Sequence, residues 1–131
     1  MNIDRSSWRE HKHDGLMGTL GPMLSRHIDG SWQYGLLVRN DHLNAAKRAH
    51  GGAITTLMDQ AMSVLAWQHT SRTACVTIQL NINFIGSARM DDLMIATGRV
   101  VKTTRSLLFL DGEIRVADTT IATAQGIFKM V

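Results

Sequence analysis

Cysteine occurs once in the 131 residues, at Cys75, which excludes a disulfide framework and a thiolate metal cluster and fits a reducing compartment. Proline also occurs once, at Pro22, and no linker, low-complexity tract or internal repeat interrupts the chain. No run of five or more like charges is present. Fourteen Lys and Arg against eleven Asp and Glu give a net charge of +3, which is no nucleic-acid-binding footprint and suits a small polyanionic molecule such as a nucleotide or coenzyme A. Uninterrupted apolar spans are missing too. The most apolar stretch, 52–70, is broken by Asp59, Gln60, Gln68 and His69, so it reads as a buried helix and no membrane contact is expected. The first fourteen residues carry Asp4, Arg5, Arg9, Glu10, Lys12 and Asp14 where a secretory signal needs an apolar core, and a cytoplasmic protein is expected. The histidines outside the central motif, His11, His13, His27, His42 and His69, show no metal-ligand spacing, so no metal is expected.

What the chain does have is a 44% hydrophobic content, enough for one core, and residues 1–131 read as a single domain. Residues 1–16 read as a tail or short helix, with Trp8 as the apolar exception. Met23 to Ile28 and Trp32 to Val38 flank Asp29-Gly30, a two-residue hairpin signal. Residues 40–49 are polar and irregular. A helix then runs from Gly52 to about His69, about 27 Å at 1.5 Å per residue. After Ser71-Arg72 the period becomes two: Val76, Ile78, Leu80, Ile82 and Phe84 define one face, read as buried, against the hydroxyl and amides of Thr77, Gln79, Asn81 and Asn83. That amide-rich face hints at a substrate or a second subunit. Residues 93–101, 106–116 and 120–130 complete a meander. The class is α+β, with about five to six antiparallel strands wrapped around one long helix.

The densest chemistry lies in His50-Gly51-Gly52 and in Asp59, the only formally charged residue between Gly51 and Ser71. Ile54, Leu57, Met58, Ala61, Met62 and Leu65 recur at helical spacing and form the core face. Gly52, Thr56, Asp59 and Ser63 make a second strip of small and polar residues beside it. A glycine pair at a helix start leaves N–H groups that, with the positive end of the dipole, can hold a carbonyl oxygen gaining negative charge. Asp59 has no cation at i±3 or i±4, so a solvated helix-surface pair does not account for it. Gly52 and Asp59 are seven residues apart, about 10 Å along one helix, too far to touch one carbonyl together; an antiparallel partner helix removes that distance.

Asn44, His50-Gly51-Gly52, Asp59, Val76-Thr77 and Leu80-Asn81-Ile82-Asn83-Phe84 together resemble the hotdog-fold acyl-CoA thioesterases of the phenylacetate-degradation (PaaI-like) type, over residues 20–130 or so. The resemblance implies a homodimer with sheets joined edge to edge, paired again as a dimer of dimers (homotetramer), and an acyl-CoA substrate at the dimer interface. No cofactor is implied, coenzyme A being part of the substrate. By the same resemblance the Gly52 N–H polarises the thioester carbonyl, and Asp59 of the other subunit acts as general base or nucleophile. Asn44 helps to hold the thioester or the lytic water, His50 braces the loop and Asn44, and Thr77 orients the water. Gly51 lies in the substrate turn, and Arg89, Arg105 and Ser106 match strand-end positions that contact the pantetheine and nucleotide phosphates. The acyl group is expected to be an aryl or medium chain, with Leu57, Met58, Val64 and Trp67 as candidate pocket residues. Two departures fall in the loop near the nucleotide: Gly86 where the family commonly has proline, and Asp91-Asp92 where it commonly has glycine.

Bland readings stand beside these. Gly51-Gly52 could simply start the helix, Thr77 could be an ordinary β-branched strand residue, and the arginines could be solvated strand ends. Two other functions remain open. A hotdog dehydratase or hydratase needs a His paired with the carboxylate as acid and base, and here the only helix acid follows a His-Gly-Gly turn. A non-catalytic acyl-CoA-binding module would use the same pocket without turnover, though it has no need to keep an unpaired acid at position 59.

Overall fold

One two-residue turn is set directly by its sequence: Asp29 and Gly30 both take positive φ, 50° and 78°, as a hairpin turn with the right-handed twist of its strands requires. It joins β2 (Met23–Ile28) to β3 (Ser31–Leu37). The computed structural model describes residues 7–131. Within them the order is β1 (Arg9–His11), α1 (Gly15–Leu20), β2, β3, a 3-10 turn (Asn40–His42), α2 (Gly51–His69), β4 (Cys75–Phe84), β5 (Leu93–Thr103), β6 (Leu107–Val116) and β7 (Thr119–Met130). The strands form one antiparallel sheet in the order β1-β2-β3-β5-β6-β7-β4.

That is seven strands, where the sequence pattern gives five to six. The extra one is β1, whose three residues are too few to show a period, and which pairs with β2 through Arg9, Glu10 and His11. The expectation of a tail or short helix over residues 1–16 is therefore corrected for the described part, residues 1–6 lying outside it. Trp8 is buried and stacks under the Arg26 guanidinium, 4.2 Å from its ring centre. The helix comes later, at α1, which drives Met17 into the core.

The α2 helix lies across the sheet with Ala53, Ile54, Leu57, Met58, Ala61, Met62 and Ala66 buried, the face expected from the spacing except that Leu65 is only partly covered. Glycines make room for it. A Cβ at Gly98, Gly112 or Gly126, on three successive strands, would come within 2.9 Å of Leu65, Met58 or Met62 respectively, closer than carbon contacts allow. The helix can therefore settle low over β5, β6 and β7.

The long strand β4 departs from its expected pattern. It forms the sheet edge, paired only with β7, and its register shifts between Thr77 and Gln79. The extra residue flips the alternation. Leu80 and Ile82 pack toward the core, whereas on the other side of the bulge Thr77 lies opposite the buried Phe128 and faces α2. Val76 and Ile78 are left 48% and 54% exposed, so the single buried face read from the period does not form. The amides of Gln79, Asn81 and Asn83 lie open on the protomer surface.

Candidate active site

The turn that opens α2 is held from both sides. His50 N–H donates to His42 O (2.7 Å), Leu43 bridges Ala49, and Ala49 N–H donates to Ala88 O (2.8 Å) in the loop after β4. His50 is the N-cap, with φ −61° and ψ 140°. Its carbonyl accepts from Ala53 and Ile54, and its Nδ1 accepts the Gly52 N–H at 2.7 Å. Among the first-turn donors of α2 only the Gly51 N–H is left without an acceptor among the described residues. The open donor of the turn is thus not Gly52, the one expected from the sequence, but its neighbour. The Gly52 N–H is consumed by the cap, while Gly51 keeps a free donor at the positive end of a nineteen-residue helix, the arrangement that holds a developing oxyanion. A Cβ at Gly51 would lie 3.5 Å from the Phe84 ring, so the donor sits where the end of β4 meets the start of α2.

Two turns further along α2, Asp59 is half-buried and accepts a 2.6 Å hydrogen bond from Thr77 Oγ1. The bulge in β4 is what turns Thr77 toward the helix. No Lys, Arg or His pairs with Asp59 among the described residues, so one of its oxygens is fixed by a hydroxyl and the other is open. Thr56 Oγ1 instead bonds back to Gly52 O at 2.8 Å, which leaves the strip between Gly52 and Asp59 free of side-chain partners from other elements.

Asn44 is exposed. Its Oδ1 accepts from the Ala46 and Arg48 N–H groups (3.0 and 3.1 Å), an Asx turn that leaves its Nδ2 as the outward donor. The expected contact between His50 and Asn44 is not made, because the His50 ring is turned to Gly52. His42, isolated in sequence, proves to be a buried joint. Its Nδ1 accepts Arg39 N–H (2.9 Å) and its Nε2 donates to Leu20 O (2.7 Å), which fixes the neutral ring. Burial is the main reason its pKa is lowered, the Leu20 carbonyl opposing the shift and Arg39 adding to it. No spacing rule could have marked it, since its partners are twenty-two and three residues away.

The coenzyme candidates do not converge within one protomer. Arg89 follows β4 near the start of α2, its N–H held by Asp92 Oδ2 at 2.8 Å. Arg105 and Ser106 lie at the other end, where Ser106 O accepts from Met130, the neighbour of Cys75 across the sheet. The length of α2, about 28 Å, separates them. The departures in the loop have physical reasons: the Gly86 N–H donates to Ile121 O (3.0 Å), which proline could not do. Asp91 takes φ 71°, the left-handed conformation that glycine otherwise supplies and that Asp tolerates. Leu57 and Met58, expected near the acyl group, are 0% exposed and belong to the core. A concavity of about 800 Å³ lies on the far sheet face between Trp32 and Asp111 and includes none of these residues.

A long helix cradled by an antiparallel sheet, with an open N–H at its start and an unpaired carboxylate at its middle, defines a hotdog domain equipped for thioester hydrolysis. Residues 46–123 match the thioesterase superfamily, and the chain belongs to that family, in its PaaI-like branch. Human acyl-coenzyme A thioesterase 13 is 31% identical over 90 residues, which cover 68% of this chain and 64% of that protein. A hypothetical thioesterase protein of Streptococcus pneumoniae, solved with coenzyme A, is 27% identical with a TM-score of 0.71, covering 81% of this chain and 85% of that one. A phenylacetic acid degradation-related protein of Ralstonia eutropha is 25% identical with a TM-score of 0.75 and 91% of each chain covered. The protein is a thioester hydrolase of this superfamily. No helix among the described residues is long and apolar enough to cross a membrane.

Proposed function

We propose that the protein hydrolyses an aryl- or medium-chain acyl-CoA at a site shared between two subunits. The observation that carries this reading is the position of the two reactive groups on one straight helix. Gly51 and Asp59 are eight residues apart, about 12 Å, so they cannot meet at one carbonyl unless a second α2 runs antiparallel alongside. The exposed edge of β4, ten residues long with Val76 and Ile78 uncovered, supplies the surface for that pairing, since such an edge otherwise invites uncontrolled association. The antiparallel arrangement also brings Arg89 of one subunit toward Arg105 and Ser106 of the other, as a coenzyme A phosphate site requires. A further pairing of two dimers fits the same scheme.

In the reaction the Gly51 N–H holds the thioester oxygen as it becomes negative. Asp59 of the opposite subunit takes a proton from water, whose oxygen attacks the carbonyl carbon; alternatively its free oxygen attacks directly and water hydrolyses the anhydride. Either way the C–S bond breaks, and the products are a carboxylic acid and coenzyme A. Thr77 holds the other Asp59 oxygen, and the Asn44 Nδ2 is placed to help orient the thioester. His50 acts through the turn, by fixing Gly52 and so aiming Gly51.

The test is release of free thiol from phenylacetyl-, octanoyl- and acetyl-CoA by wild type and Asp59→Asn. A hundredfold or greater loss in the variant, with the oligomer intact, supports the reading. Equal activity in the variant, or none in wild type, refutes it and favours a binding module.

A further inference from the structure

A groove of about 350 Å³ opens between α1 and the start of α2. Leu16, Leu20, Leu43 and Ala53 give it an apolar lining, Gly52 and Thr56 form its floor, and Asp41 and His50 stand among its polar neighbours. Resting on the thioesterase reading above, we propose that this groove is the acyl subsite, that α1 is its specificity wall, and that it takes an uncharged apolar acyl group of medium length or a single ring.

Three features carry this. First, the groove is continuous with the catalytic turn: Gly52 and His50 belong to both, and the free N–H of Gly51 is one residue away. A carbonyl held by Gly51 therefore lies one residue from the lining of the groove. Second, the groove is rigid and built before substrate arrives. The end of α1 is tied down by Arg39, whose guanidinium donates to Thr19 O and Leu20 O, and by His42 Nε2 on Leu20 O, while Met17 anchors the helix in the core. Yet Leu16 on the same helix is 64% exposed. An anchored helix that holds a leucine over an apolar groove presents a preorganised contact surface. Third, the inward route is closed, because Leu57 and Met58 fill the space beneath α2. The volume lies within the range of small-molecule sites, about 300–1,000 Å³. The exposed Asp41 carboxylate disfavours an acyl chain that ends in a carboxylate.

The experiment measures kcat/KM for butyryl-, octanoyl-, phenylacetyl- and adipyl-CoA in wild type, Leu20→Trp and Leu16→Ala. Each methylene buried in the groove is expected to raise kcat/KM roughly fourfold, so wild type prefers octanoyl over butyryl by at least tenfold and discriminates against adipyl. Leu20→Trp, which fills the groove, is expected to lower the octanoyl-to-butyryl ratio tenfold or more. Leu16→Ala, on an exposed position that cannot unfold the protein, is expected to lower it roughly threefold. Hydrolysis with that ratio unchanged in both variants overturns the groove assignment alone. No hydrolysis of any ester by wild type overturns the thioesterase reading beneath it.

Discussion

Thr77 Oγ1 donates to Asp59 Oδ1 at 2.6 Å, joining the edge strand β4 to the middle of α2 across eighteen residues. The bond orients a carboxylate that otherwise has free rotation, and it leaves one oxygen for chemistry. A hydrogen bond to a charged group contributes about 1.5–3 kcal/mol. Thr77→Val is therefore expected to lower kcat about tenfold or more, with a small effect on KM, while Thr77→Ser retains most of the rate. Steady-state kinetics on one acyl-CoA checks this; an unchanged kcat in Thr77→Val would show that the bond is only structural.

Gly51→Pro removes the proposed oxyanion donor with little else. The first helical position tolerates proline because its N–H has no intrahelical acceptor. His50 already has the extended conformation that a residue before proline needs. The expected result is an unchanged Tm with kcat reduced about 100-fold to 1,000-fold. Thermal unfolding and thiol release on the same sample check both halves, and full activity in a folded Gly51→Pro would return the role to Gly52.

Acid should loosen the joint between α1 and the catalytic turn. Burial places the pKa of His42 below its ordinary 6.5, so the unfolded chain binds more protons between the two values. Its contribution is complete above about pH 6.5 and is lost as pH falls toward the folded pKa. His11, lowered mainly by burial and then by Arg9 and His13, acts in the same sense. Calorimetry from pH 7.5 to 5 should show a falling Tm. In His42→Gln the Tm at pH 7.5 should be lower by ~5 °C through lost buried hydrogen bonds, with a shallower pH slope. Parallel slopes for the two proteins would contradict this role of His42.

Ile78 and Val76 test the edge. Ile78→Asp places a charge where the two β4 strands would meet, and sedimentation should find it shifted to monomer with hydrolysis lost in step. A monomeric variant with full activity would place the whole site within one subunit.

Much of this was legible in the sequence, and the rest was hidden for definite reasons. The hairpin at Asp29-Gly30 and the span of α2 follow from turn chemistry and a strong 3.6-residue period. Asp59 stood out because nothing nearby could neutralise it, and Thr77 was found only through resemblance. A bulge at Ile78 is invisible to a period-two pattern, so alternation alone gives the wrong face for Thr77 and makes β4 read as half-buried when it is an edge. The choice between Gly51 and Gly52 turns on which N–H the His50 ring occupies, a rotamer that no spacing encodes. His42 binds Arg39 and the end of α1 through a backbone N–H and a backbone carbonyl, groups that nearly every residue carries and that therefore leave no mark in the sequence.

The most direct test of the shared site is complementation between two inactive variants, Gly51→Pro and Asp59→Asn, mixed under conditions that exchange subunits. Each mixed dimer then holds one site with both groups intact, and random pairing should restore about a quarter of the wild-type thiol-release rate. No recovery, with exchange verified by mass spectrometry, would contradict a site built from Gly51 of one subunit and Asp59 of the other.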